Sequence, residues 1–191
     1  MLSIAPAIAS PTLVHEWTFD EGTGNVAYDS IGSSNCSFVN SPKWTSSGSF
    51  GNAIEFDRYS SQYLNCGNDS SLNFGTDYSL SYWVRSNDTN VGYVIVKGWS
   101  SGFFQTSVMP TNQMAYSVGV EVQMSNFDTM DDDYWGGDYS FTVTDGLWHF
   151  VVVQKNSTDF EMYIDGIKVG TVGDDAETLY NSTINVNTSS V

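Results

Sequence analysis

Basic residues are scarce in this chain: six Lys and Arg stand against 22 Asp and Glu in 191 residues, a formal net charge of −16 at pH 7. That balance excludes nucleic acid as an expected partner, because phosphate contacts require a Lys/Arg patch. The same repulsion disfavours anionic membrane surfaces, whereas it favours a cation; its plainest meaning is a well-solvated acidic surface. No apolar run approaches the length of a membrane span, so no membrane insertion is expected. Histidine is almost absent, with only His15 and His149, which makes a zinc site or a His-based triad a poor expectation. Helical periodicity and internal repeats are missing too.

What is present is alternation with period two. In Gly146–Gln154 (GLWHFVVVQ), Val151 and Val153 fall on one face of a strand, and Phe150, Val152 and Gln154 on the other. A polar turn at Asn156–Asp159 follows. Alternation then resumes with Met162 and Ile164 on one face, and Glu161, Tyr163 and Asp165 on the other. Asp165-Gly166 is a two-residue hairpin signal, since glycine tolerates the positive φ of a tight primed turn, and Ile167–Val169 returns as the partner strand. Met114, Tyr116, Val118, Val120 and Val122 share one face of a further strand; Phe127–Asp138 interrupts as a long loop, and Tyr139–Thr144 restores the alternation. The chain reads as all-β, a two-sheet antiparallel sandwich with less than about a tenth helix.

The Trp148–Gly170 stretch resembles the end of laminin G-like, concanavalin A-like jelly rolls. Motifs upstream resemble the same family in family order: Leu13–Gly24 (LVHEWTFDEGTG) its opening strand, Val26–Gly32 (VAYDSIG) its next turn, then Pro42–Trp44 with Gly51–Asp57 (GNAIEFD). Tyr63–Cys66, Tyr78–Val84 (YSLSYWV) and Val94–Gly98 complete the series. The resemblance implies that Trp17, Phe56, Leu64, Trp83, Val152 and Ile164 are largely buried, and that Trp148 packs in the core as well. In this register Cys36 shares parity with Phe38, and Cys66 with Leu64, so both point inward. They are either two buried free thiols or one disulfide, as an extracellular sandwich would allow.

A length of 191 residues suits one domain with a real core, and 15% aromatic residues supply its large buried surfaces. We expect an apolar N-terminal arm over residues 1–12, a jelly-roll domain over 13–180 and a polar tail over 181–191. Met1–Pro11 ends in an Ala-x-Ala-like pattern without a basic start, and reads as a truncated signal or as an arm docking on its own domain or a neighbour. The tail departs from the family pattern. Two closing strands, roughly 20–30 residues, are expected to be lacking after the Asp165-Gly166 hairpin. The chain is then either a fragment or has the edge beside the Trp17 strand covered by another segment.

Two sets of carboxylates suit calcium, which takes hard oxygen ligands on flexible loops. Asp128, Asp131, Asp132, Asp133 and Asp138 lie in one Gly-containing loop, and the alternative for them is plain solvation. Asp20, Glu21 and Asp29 lie in turns where the family resemblance allows a structural calcium, and the alternative is turn capping by an Asx-type Asp29. Calcium is accordingly the one cofactor expected. Trp135, Tyr134 and Trp99, in or beside loops, are the candidate ligand-binding aromatics, by ring stacking on sugars; covering core edges or meeting a neighbouring chain is the competing role. Asn35, Asn68, Asn87, Asn156, Asn181 and Asn187 head Asn-x-Ser/Thr sequons, a mild excess over chance that points to a secreted or surface protein.

Catalysis is not expected. Related glucanases of this fold carry an "E.D..E" strand that sets two carboxylates across the scissile bond. Here Glu161, Tyr163 and Asp165 replace such a string, with a Tyr in the middle. The expected function is a non-catalytic recognition module, extracellular or on a cell or virion surface, that binds glycans or surface ligands. The alternative is a structural subunit of an extracellular filament, sheath or capsid decoration, a homo-oligomer assembled through its termini.

Overall fold

The computed structural model describes residues 12–73, 77–87, 92–97, 103–108, 114–119, 143–155 and 160–172. Over these residues the chain is all-β and every strand pairing is antiparallel, as the period-two alternation predicts. Single 3-10 turns at Arg58–Ser60 and Ser70–Leu72 are the only helical residues described. The chain divides into two compact units, Met1–Gly67 and Asn68–Val191.

In the first unit β1 (Val26–Ala27), β2 (Cys36–Val39) and β5 (Tyr63–Asn65) form one sheet in the order β1-β2-β5. The hairpin strands β3 (Lys43–Thr45) and β4 (Ala53–Glu55) form another. The β2–β5 register pairs Ser37 with Asn65 and Phe38 with Leu64. One further step along that register sets Cys36 opposite Cys66. The two form a disulfide, so of the two states open from sequence the bridged one is found. Cys36 is buried, with Ala27 and Ala53, and Phe38 packs on Trp44 with ring centroids 5.0 Å apart. The indole of Trp44 donates to the Gly24 carbonyl at 3.0 Å.

The opening strand expected within Leu13–Gly24 is not formed. A single antiparallel bridge, Trp17 to Asp29, replaces it, supported by the Ser30 amide donating to the Glu16 carbonyl at 2.8 Å. The reason is local: Phe19 has φ +57°, which no extended run accommodates, and the Glu16 amide is taken by the Asp29 side chain rather than by a neighbouring strand.

In the second unit β6 (Tyr78–Arg85), β10 (Trp148–Lys155), β11 (Phe160–Ile164) and β12 (Ile167–Val172) form a four-stranded sheet in the order β12-β11-β10-β6. Strands β7 (Gly92–Lys97), β8 (Phe103–Val108) and β9 (Met114–Gly119) form a three-stranded meander. Asp165 and Gly166, at φ +52° and +81°, make the primed two-residue turn that the Asp-Gly signal predicts. Val151 pairs with Ile164 and Tyr82, and Val153 with Met162 and Leu80. One face of the sheet is therefore a continuous apolar layer, in which Val151, Val153, Met162 and Ile164 are at most 2% exposed.

The expected core needs correction. Trp83 is 41% exposed and Phe56 47%, although both were expected in the core. Trp17, Leu64 and Val152 are half-buried, and only Ile164 of the six is fully so. Phe56 lies just past the end of β4, where alternation no longer assigns a face. Trp83 has the parity of Ser79, Ser81 and Arg85, so the pleat turns it to the face opposite the apolar layer. The expected Tyr139–Thr144 strand is likewise not seen at its described end: Val143 and Thr144 are buried but belong to no strand. The continuation of β9 beyond Gly119, the arm at Met1–Pro11 and the tail at Asn181–Val191 lie outside the described residues.

His149, at the start of β10, clasps this sheet together. Its Nδ1 lies 2.8 Å from Asp165 in the hairpin turn and its Nε2 3.1 Å from Asp145. Both nitrogens face carboxylates, which calls for the doubly protonated ring. Burial alone depresses the His149 pKa, but the hydrogen bonds and charges of Asp165 and Asp145 outweigh it and raise the value above normal. Asp145 is held below the usual carboxylate range mainly by the Leu147 amide and His149. For Asp165 burial works upward, and the Phe150 amide and His149 overcome it. The histidine contribution is thus complete below its unfolded pKa, about 6.5, and is lost as pH rises through the higher folded value; the carboxylate contributions are present above about 3.9 and fade as pH falls through the lower folded values. We therefore expect the melting-temperature gap between the native chain and His149→Gln to be widest between about pH 4 and 6.5 and to narrow above it. A gap constant from pH 5 to 9 would mean that His149 holds the turn as a neutral ring.

Candidate functional site

The face of the four-stranded sheet opposite its apolar layer carries the most concentrated recognition chemistry among the described residues. It is built by register. Arg85 pairs with Trp148 and Trp83 with Phe150. Ser81, Val152 and Tyr163 form the next row, and Ser79, Gln154 and Glu161 the row after that. Successive rows are two residues apart, about 7 Å along the strands. The outcome is a face with an aromatic end and a polar end.

At the aromatic end the Trp83 and Phe150 rings meet at 5.1 Å with a 38° tilt. The Arg85 guanidinium lies over the Trp148 ring, 4.9 Å from its centroid, a cation–π stack. Cross-strand aromatic contact of this kind fixes each ring in one orientation. Trp83 therefore presents a preoriented indole, 41% exposed, on a rigid strand rather than on a loop.

At the polar end Glu161 receives Lys168, Gln154 and the Tyr163 hydroxyl, the last at 2.8 Å. Those hydrogen bonds, led by Lys168, then Gln154 and Tyr163, hold the Glu161 pKa at about 2. Its proximity raises the Tyr163 pKa above normal. A carboxylate so stabilised in its charged form does not serve as a general acid near neutral pH, where a raised pKa is needed. Glu161 is a strut that orders the amide, hydroxyl and ammonium groups around it. Asp165, the third position of the same alternation, is committed to the hairpin turn, where it accepts the Phe150 amide at 2.8 Å as well as His149.

The carboxylates expected to bind calcium are found as follows. Asp29 has its side chain fully buried. Its Oδ1 accepts the amides of Glu16, Ile31 and Gly32 at 3.1, 3.2 and 2.9 Å, and its Oδ2 accepts the Ser34 amide at 3.0 Å and His15 Nδ1 at 2.6 Å. This is the turn-capping geometry that the Asp-Ser-x-Gly order allows. Burial works to raise the Asp29 pKa, yet the His15 hydrogen bond and the amides of Gly32, Glu16 and Ser34 overcome it and hold the value far below normal. Asp20 accepts the Asn52 amide at 3.1 Å, and Glu21 the Tyr28 amide at 2.6 Å. No group of three or more His, Cys, Asp or Glu side chains placed to hold a metal ion occurs among the described residues.

Asp128, Asp131, Asp132, Asp133 and Asp138 lie outside the described residues. So do Trp99, Tyr134 and Trp135, and the sequons at Asn156, Asn181 and Asn187. Asn35, Asn68 and Asn87 are all exposed, and Asn35 uses its Oδ1 to accept the Asp29 amide at 2.9 Å. The structure thus brings together Trp83, Arg85, Trp148 and Phe150, none of which was expected to act in binding. The available signal was the parity of β6: Trp83 alternates with two serines and precedes an arginine by two.

Residues 58–188, well over half the chain, match the concanavalin A-like lectin/glucanases superfamily. The chain belongs to that superfamily. Its membership agrees with the antiparallel all-β architecture and with the order of the motifs from Tyr63 to Gly170. No curated protein matches the chain. Among the described residues no helix is long and apolar enough to cross a membrane.

Proposed function

We propose that this chain is a non-catalytic carbohydrate-recognition module, acting outside the cell or on a cell or virion surface, and that it takes sugar on the outer face of the β6–β10–β11 sheet. One observation carries the reading: the Trp83 indole is held against Phe150 with 41% of the residue exposed, one row from the hydroxyl-bearing Ser81 and Tyr163 and two rows from the Gln154 amide. A pyranose ring offers an apolar C–H face for the indole and hydroxyls for Ser81, Gln154 and Tyr163. Membership of a superfamily of lectins and glucanases supports this ligand class, and the engagement of Glu161 by Lys168, Gln154 and Tyr163, and of Asp165 by the hairpin turn, supports binding rather than hydrolysis.

The test is a glycan array followed by titration of the strongest hit. Trp83→Ala should weaken that hit about tenfold or more, the effect of deleting a central aromatic anchor, while the variant, though less stable for the loss of the Phe150 contact, still unfolds cooperatively well above the assay temperature. Equal affinity of Trp83→Ala and native protein for every hit would move the binding site off this face.

A further inference from the structure

Arg85 is out of keeping with the rest of the chain. In a molecule of charge −16 with six basic residues, a guanidinium is expected to be surrounded by carboxylates. Among the described residues, the one contact shown for the Arg85 side chain is its stack on Trp148. The two carboxylates on the same alternation are already matched elsewhere, Glu161 to Lys168 and Asp165 to His149. Arg85 itself is exposed. A guanidinium held over a ring by its flat face keeps its in-plane N–H fork for a ligand, and that fork suits a carboxylate or sulfate in bidentate fashion.

The fork stands one row from Trp83. A ligand whose ring lies on the indole therefore has a substituent about 7 Å along the strands within reach of Arg85. We infer that the sugar bound on this face is anionic, a pyranose bearing a carboxylate or a sulfate ester, with Trp83 stacking its ring and Arg85 gripping its charge. This rests on the carbohydrate reading above and specifies its ligand class.

The experiment uses the full chain on an array that holds uronate, sialate and sulfated oligosaccharides, each beside its neutral counterpart obtained by carboxyl reduction or desulfation. The expected result is that every strong hit is anionic, binding at least about tenfold more tightly than its neutral partner. Arg85→Gln should bring the anionic ligand down to the neutral level, and Arg85→Lys should recover part of the difference, because a point charge lacks the fork. Both variants should melt as the native chain does. Whether the carboxylated or the sulfated arm gives the hits identifies the source of the charge. Hits that bind equally with and without the anionic group, yet are lost in Trp83→Ala, overturn the anionic inference and leave the carbohydrate reading standing. An array with no Trp83-dependent hit overturns both.

Discussion

Replacing Asp29 by alanine is expected to destabilise the protein by about 3–5 kcal/mol, the range for removing one partner of a buried ionic and hydrogen-bonded group. Five donors converge on this carboxylate. Without it the Ser34 amide is left buried without its acceptor and the His15 ring loses its anchor. Against a typical domain stability of about 5–15 kcal/mol that loss is a large fraction, so chemical denaturation should show an earlier midpoint or no folded baseline. Asp29→Asn keeps the shape and is expected to fall between, because its amide nitrogen is a donor facing donors. Gly32→Ala tests the same cluster without changing charge: a Cβ there would stand 2.6 Å from both Asp29 Oδ2 and His15 Nδ1, closer than atoms can approach. The pH dependence has a definite sign. A folded pKa below the unfolded one means that the stabilisation is present above about pH 3.9 and is lost as pH falls through the folded value. The native chain should lose stability steeply below about pH 4, and Asp29→Asn should lack that part of the acid limb. An Asp29→Ala variant as stable as the native chain would show that the turn is held by backbone geometry alone.

The second large effect is expected from the Cys36–Cys66 bridge. It closes a loop with a sequence separation of 30 residues, for which the chain-entropy estimate is about 3–4 kcal/mol of stabilisation through the unfolded state. Among the described residues of the first unit few apolar side chains are buried, chiefly Ala27, Cys36 and Ala53, so the bridge is a sizeable share of what holds β2 to β5. Reduction, or the double substitution Cys36→Ala with Cys66→Ala, should lower the melting temperature by many degrees. The native chain and the double variant can be compared in urea: a lower midpoint with a larger m-value is the expected pair, since the unbridged unfolded chain exposes more surface. Unchanged midpoints with and without reductant would show that the bridge is not formed in solution.

Much of the fold could be read from residue order because a strand's side chains alternate strictly. Val151, Val153, Met162 and Ile164 were assignable to one buried face from parity alone, and Asp165-Gly166 announced its turn by the one residue type that readily accepts positive φ. Parity could equally have moved Trp83 out of the core, since it shares a face with Ser79, Ser81 and Arg85. The family motif places a large aromatic there in the core, and in this chain the pattern of β6 prevails over the motif. The opening strand is absent for a different reason. Alternation around Trp17 is compatible with a strand, but the side chain of Asp29, 13 residues on from Glu16, takes the amide a strand would need.

Sequence by itself determined the class of the protein: antiparallel β, acidic, ordered along its motifs like a concanavalin A-like domain. These properties rest on local rules, namely the two-residue period, turn chemistry and composition. Tertiary structure decided which residues meet. Cys36 and Cys66 bond because the β2–β5 register places them opposite one another; Arg85 lies on Trp148, and Trp83 on Phe150, because β6 pairs with β10 across more than sixty residues of chain. Strand register is a property of two segments at once, and no pattern within either segment contains it.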